Sequence, residues 1–415
     1  PNANLQDLEF LRFNSQNTFV KDMWKNCYSG ISRANTAIAK IPEIKMNESK
    51  KNRLIAEART LRALYYFNLV RFFGDVPLIL DLKTVEDSKG PRDSKELIYD
   101  QIIEDLTFAE EHLPLRSEYS ASDEGRINKG AAKILFGKVY LTKGDFQKAK
   151  DKLAEVVEHE SEYGFGLHKD YHANWLRDTE AGIEAVLYIE YKEPPFQHNG
   201  EMALAGPKYS IPGSLGISAL NEADIPTQEL YDQFDNRDLR KKTNFKTEFA
   251  HLKTGEILKS SIPLSGKFWV EGLETGDRCD VNMHIIRYAD AILMYAEALN
   301  EVGKSTKALA MLNRIRERAF GDDSGNFKPM SKDEFRTAIL NERRLEFPHE
   351  GHRWFDLVRT GTFIQRMKEH SAYEAKVAEA NKTEIAQNIK EHMILMPIPQ
   401  SEIDLNPNLV QNAGY

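Results

Sequence analysis

Cysteine is nearly missing from this chain: only Cys27 and Cys279 occur in 415 residues, far apart and without metal-ligand spacing. Neither a disulfide framework nor a zinc ribbon is indicated, and the redox compartment stays open. No apolar run approaches the roughly eighteen residues that a membrane-crossing helix needs. Runs of Lys and Arg with interleaved aromatics are lacking as well, and the formal charge of −8 disfavours a phosphate-backbone partner, so nucleic acid is not expected. Pro1-Asn2-Ala3-Asn4 carries no signal-peptide pattern. What is present is a 41% hydrophobic content, ample for a sizeable core.

Helical periodicity dominates the first part. Residues 5 to 42 place Leu8, Leu11, Phe19, Met23, Trp24, Cys27, Ile31, Ala34 and Ile38 at helical spacing until Pro42, which predicts one helix. Between Arg53 and Phe73 apolar residues cover nearly every side, the mark of a central helix, and Gly74-Asp75 stops it. Ser94 caps a further amphipathic helix that ends near Pro114. Gly130 to Val157 and Tyr288 to Ile315 then align on Gly144 and Gly303, bringing Ala149 onto Ala308 and Leu153 onto Leu312. Each copy reads as helix, Gly turn, helix, a pattern that resembles the tetratricopeptide hairpin, although the copies are not in tandem at the usual period of about 34.

Between the copies, from about 160 to 285, helical periodicity fades and glycine and proline accumulate, with Pro194, Pro195, Pro207, Pro212, Pro226 and Pro263. Ile183 to Tyr191 alternates well enough for one short strand, and Ser260 to Val270 for another. Tyr163, Tyr171, Trp175, Tyr191, Phe196, Tyr209 and Trp269 lie in this stretch, and loops on a rigid frame are where recognition residues usually sit. The expected organisation is a helical part over 1–159, a loop-rich ligand-binding insertion over 160–285 and a helical part over 286–415, forming one discontinuous unit. The fold class is mainly α: tetratricopeptide-like hairpins in a right-handed helical body, with an insertion carrying a little β.

Asn341 to Gly361, NERRLEFPHEGHRWFDLVRTG, mixes charge and bulk in a way that no ordinary surface helix needs. Phe335, Ala338, Ile339, Glu342, Leu345 and Glu346 share one helix face, so two carboxylates sit on an apolar stripe and need cations. Arg353 and Arg359 on the next short helix are the nearest in sequence, which predicts a structural clasp of Glu342 and Glu346 with Arg353 and Arg359. Two sharper readings compete. Glu342, Glu346, Glu350 and Asp356 could supply the two carboxyls of a glycosidase, and the His349-Glu350-Gly351-His352 run invites a zinc site. Interleaved arginines favour the ion network over the first, and histidines three apart rather than four disfavour the second. No motif calls for a catalytic residue, a metal or a cofactor.

Taken in order, MWKNCYSGISRAN, AEARTLRALYYFNLVRFFGDVPL, the Gly144 hairpin, IPTQELYDQFDNRDLR, IIRYADAILMYAEALNE, ALAMLNRIRERA, the 341–361 stretch and LMPIPQSEIDLNPNLVQNAGY resemble the SusD/RagB family of Bacteroidetes surface lipoproteins. The resemblance implies a non-catalytic binder of oligo- or polysaccharide that serves as a lid on a SusC-like TonB-dependent outer-membrane transporter. It also implies the cell-surface face of the outer membrane, with a lipid anchor and secretion signal preceding Pro1. A peptide or another nutrient in the same lid role is the alternative ligand, and a plain tetratricopeptide scaffold is disfavoured by the long insertion. The family fixes no ligand contact by motif. Loop setting and chemistry give Trp175, Tyr171, Tyr209 and Trp269, together with Trp24 and Asn26, as candidate ligand-binding residues, because sugar rings stack apolar C–H faces on aromatics.

Overall fold

The computed structural model describes residues 2–81, 84, 88–192, 199–211, 213–377 and 384–415. Pro194, Pro195, Phe196 and Pro212 fall outside them. These residues form two compact units, one built from 1–143 and 354–415 and the other from 144–353. The division therefore falls elsewhere than the boundaries at 159 and 285 expected from composition. The cause lies in packing: the Phe146–Val157 helix joins the second unit by packing against Tyr288–Glu301.

In the first unit the Glu48–Phe73 helix is central, as its all-round apolarity predicts, and it packs against Thr18–Lys40, Lys95–His112 and Lys129–Lys143. Its one deeply buried cation, Arg62, is matched by Asp105 through two bonds of 2.7 and 2.8 Å and by Asn35 at 2.9 Å. A buried guanidinium is tolerated because every face of it has an acceptor.

The single helix expected over 5–42 is broken. Ala3–Glu9 ends, Leu11 takes a left-handed φ of 52°, and Asn17 starts a new helix by accepting the N–H groups of Phe19 and Val20. Burying Leu11 and Phe13 with Leu357, Phe363, Ile385 and Met393 offsets the cost of the break. The patternless C-terminal tail is held by side chains: Asn412 Nδ2 donates to the carbonyls of Phe73 and Met396, and Arg92 donates to Val410 O and Asn412 Oδ1.

The second unit is organised around Tyr288–Glu301, buried on all sides from Tyr288 to Asn300 and packed by Phe146–Val157, Ser305–Phe320 and Lys332–Glu346. Both Gly turns of the repeat are present, with φ of 78° at Gly144 and 76° at Gly303, a region that costs a side chain about 1–2 kcal/mol. The strands expected near 183–191 and 260–270 are Ala185–Ile189 and Ile257–Ser265. Their antiparallel partners are Met283–Arg287 and Phe245–Ala250, so the strands among the described residues form two two-stranded ladders, beside isolated bridges. The chain is mostly helical.

Candidate ligand-binding site

Beneath the loops of the second unit lies a buried charge cluster. Glu342 and Glu346 come from the Lys332–Glu346 helix and Glu350 from the turn after it. Arg316 and Arg318 come from the Ser305–Phe320 helix. The remaining members stand at the ends of the irregular segments: Glu184 precedes one strand and Arg287 ends its partner, while Asp238 and Arg240 precede the hairpin and Lys267 follows it. Glu346 meets Arg240 and Arg287 at 3.0 Å each and Arg318 at 2.5 Å. Glu350 takes Arg287 Nε at 2.7 Å and Lys267 Nζ at 2.5 Å. Glu184 pairs with Arg287 and Arg318, Glu342 with Arg240 and Arg316, and Asp238 with Arg240. Five acids thus face five cations, and each buried charge has an opposite one against it.

Burial alone would raise Glu346 and Glu350. Arg318, Arg287 and Arg240 outweigh it for Glu346, and Arg287 with Lys267 does so for Glu350, so both carboxyls are held well below the usual range. A carboxyl that stays ionised at neutral pH cannot protonate a leaving group, which removes these two as a glycosidase acid. The predicted clasp is corrected at its cationic half. Arg353 donates to the Leu340 carbonyl at 3.3 Å and Arg359 to Asp356 at 2.8 Å, while the partners of Glu342 and Glu346 come from residues 240, 287, 316 and 318.

The aromatic candidates separate by burial. Tyr171 and Trp175, expected to offer open faces, are 3% and 4% exposed. Their rings lie 4.8 Å apart under the Lys267 ammonium, 4.6 Å from the Trp175 ring, and the Arg287 guanidinium, 5.2 Å from it. The Tyr171 hydroxyl, donating to the Glu346 carbonyl at 2.6 Å, draws the short Tyr171–Trp175 turn inward. Trp269 is half-buried, edge-on to Phe249 at 4.7 Å, and packs on the same apolar cluster as Tyr171 and Trp175. Trp24 is buried in the first unit between Tyr28 and Phe73, with Asn26 exposed on the same helix. Tyr209 stands apart at 71% exposed, with the Lys208 ammonium 5.3 Å from its ring.

The described residues of the 206–222 loop that carries Tyr209, which form no helix or strand, are fastened at several points. Ser218 N donates to Glu274 O and Gly276 N returns a bond to Ser218 O, a short parallel bridge. Leu220 sits between two glycines: a Cβ on Gly206 would come within 2.5 Å of its side chain, and one on Gly276 within 2.7 Å. Leu252 N donates to Leu215 O, and Ser261 N to Ser210 O, tying the loop to the hairpin. The Glu222 carboxylate accepts the N–H groups of Lys208, Tyr209 and Ser210. The loop therefore presents one large ring to solvent from a fixed backbone.

Elsewhere in this unit Glu180 is a buried carboxyl that accepts the Asn282 N–H at 2.9 Å. Burial pushes it up to about 7, with Asp280 adding to the rise against that hydrogen bond. In the unfolded chain a Glu titrates near 4.3. The folded value is the higher, so the stability held by this proton is complete below about pH 4.3 and is lost as pH rises through about 7. Thermal melts should show a midpoint that falls between about pH 5 and pH 8, and Glu180→Gln should flatten that slope.

A family profile described as the SusD family matches residues 261–415, and one described as starch-binding associating with outer membrane matches residues 2–141. SusD-like protein P2 of Formosa agariphila is 31% identical, over 96% of this chain and 81% of that protein. The crystal structure of a SusD superfamily protein from Parabacteroides distasonis superimposes with a TM-score of 0.83 at 27% identity, covering 99% of this chain and 89% of that one. A laminarin-binding SusD-like protein gives a TM-score of 0.80 at 28% identity, covering 100% and 89% of the two chains.

Proposed function

The chain belongs to the SusD/RagB family, and from that premise we propose that it binds an oligo- or polysaccharide at the cell surface without turning it over. It then hands the glycan to a TonB-dependent transporter of the outer membrane, to which a lipid anchor tethers it. The observation that carries the binding half is Tyr209, a large ring held outward on a loop whose backbone is fixed on both sides. A sugar's C–H face stacks on such a ring, while the adjoining Lys208 ammonium and loop carbonyls serve its hydroxyls. Trp269 contributes an edge, and Tyr171 and Trp175 act from beneath as packing. The family profile described as starch-binding and the laminarin-binding relative support a glycan over a peptide. Glu346 and Glu350, buried and enclosed by Arg240, Arg287, Arg318 and Lys267, have no open side for a substrate, which supports binding without hydrolysis.

Affinity electrophoresis on a polysaccharide panel that includes starch and laminarin tests this. Retardation by at least one glycan is expected, and Tyr209→Ala should weaken it about tenfold, since covering one large apolar side chain is worth about 1.5–3 kcal/mol. Unchanged retardation of Tyr209→Ala would place the site elsewhere. Sustained release of reducing ends, abolished by Glu346→Gln, would instead establish an enzyme. Co-purification of a TonB-dependent transporter with the anchored protein tests the delivery half.

A further inference from the structure

We infer that Glu222 is the positioning residue of the Tyr209 platform, its carboxylate acting as the clamp that turns an irregular segment into a fixed binding surface. This rests on the glycan-binding reading for its consequence, though not for its geometry. One oxygen, Oε2, accepts three consecutive backbone N–H groups: Lys208 at 2.6 Å, Tyr209 at 2.5 Å and Ser210 at 3.0 Å. Three amides converging on one charged acceptor is an arrangement that a neutral loop rarely forms, and charge-assisted bonds of this length are about twice as strong as neutral ones.

The clamp's own position is dictated by its neighbours. Asn221 N donates to Ala203 O and Ala223 N to Leu204 O, both at 2.7 Å, so the short Glu201–Ala205 helix grips the chain on either side of Glu222. Between those two grips Glu222 adopts a φ of 52°, a left-handed conformation that strains a non-glycine residue. A glycine would relieve that strain but would have no side-chain oxygen to gather the three amides. Strain kept in this way at a contact that holds the exposed Tyr209 ring in place is what a positioning role predicts.

On the other side, Ser210 O accepts from Ser261 N and Oγ of the hairpin at 3.0 and 3.3 Å. Residues 208–210 are thus held from two directions, while the Tyr209 side chain stays 71% exposed. Removing Glu222 frees one of them. The ordering of the loop must then be supplied at the moment of binding, which lowers affinity without deleting any group that touches the glycan.

The experiment compares Glu222→Ala, Glu222→Gln and Tyr209→Ala with the parent in amide hydrogen exchange without ligand and in titration with the polysaccharide that retards the parent most. Expected are slow exchange at Lys208, Tyr209 and Ser210 in the parent, at least tenfold faster exchange there in Glu222→Ala, and an affinity about tenfold weaker with an unchanged melting midpoint. Glu222→Gln keeps an oxygen that accepts the same amides and should restore most of the affinity, a rescue that a general packing defect would not show. If Tyr209→Ala loses the glycan while Glu222→Ala keeps it, the clamp is refuted and the binding reading stands. If no polysaccharide binds the parent, the binding reading falls, and fast exchange at 208–210 in the parent would refute the clamp by itself.

Discussion

Arg287→Ala is expected to lower the free energy of unfolding by about 3–5 kcal/mol, the range found when one partner of a buried ion pair is removed. The reason is specific to this residue. Its guanidinium serves Glu184, Glu346 and Glu350 together and donates to the Glu346 carbonyl besides. Without it three buried carboxylates face one another with Arg318, Arg240 and Lys267 left to share. Each such charge is costly in a medium of low dielectric. Urea denaturation at neutral pH measures the effect. Arg353→Ala, which removes none of the cations paired with Glu342, Glu346 or Glu350, should cost less. The deficit of Arg287→Ala should also narrow in acid, because protonation removes the charges that it leaves stranded. A midpoint equal to the parent's at neutral pH would contradict the cluster as described.

Trp175→Ala is the second large effect expected, about 3–5 kcal/mol of stability, because it empties a buried site walled by Tyr171, Met202, Phe268, Cys279 and Val281. The ring also lies against the Lys267 ammonium and the Arg287 guanidinium, so the loss includes two cation contacts as well as apolar area. Trp175→Phe keeps an aromatic face there and should cost much less. Neither substitution acts on ligand first: the phenylalanine variant, once folded, should bind as the parent does. Melting curves and a binding titration on the same preparations separate the two roles.

Both results bear on what could be read from residue order. Helices with long, clean periodicity were readable, Glu48–Phe73 and Tyr288–Glu301 above all, because a helix buried all round carries apolar residues all round. The paired Gly turns at 144 and 303 were readable for a similar reason, since a left-handed residue is marked by its own identity. The break at 10–17 was not, because Leu11 is apolar in either conformation and only its tertiary partners choose between them.

For the charge cluster, the need for cations was legible in Glu342 and Glu346, but their source was not. Sequence neighbours suggested Arg353 and Arg359, whereas the fold brings arginines from 240, 287, 316 and 318, and no local spacing encodes contacts that span 26 to 106 residues. The hairpin strand Phe245–Ala250 did leave a signal, the alternation of Phe245, Thr247 and Phe249.

Among the ring candidates, chemistry named Tyr171, Trp175, Tyr209 and Trp269 alike. Burial divides them, and burial of a loop aromatic depends on which cations and carbonyls meet it, here Lys267, Arg287 and the Glu346 carbonyl. Glu222 had no spacing signal at all, since its partners are backbone amides.

One titration tests the central claim most directly: the polysaccharide retained best by the parent, added to the parent, Tyr209→Ala and Trp175→Phe at neutral pH, with dissociation constants compared. A ring exposed on a clamped loop above a structural charge cluster predicts equal constants for the parent and Trp175→Phe and about a tenfold weaker one for Tyr209→Ala. Loss of binding in folded Trp175→Phe, with full affinity retained by Tyr209→Ala, would contradict it.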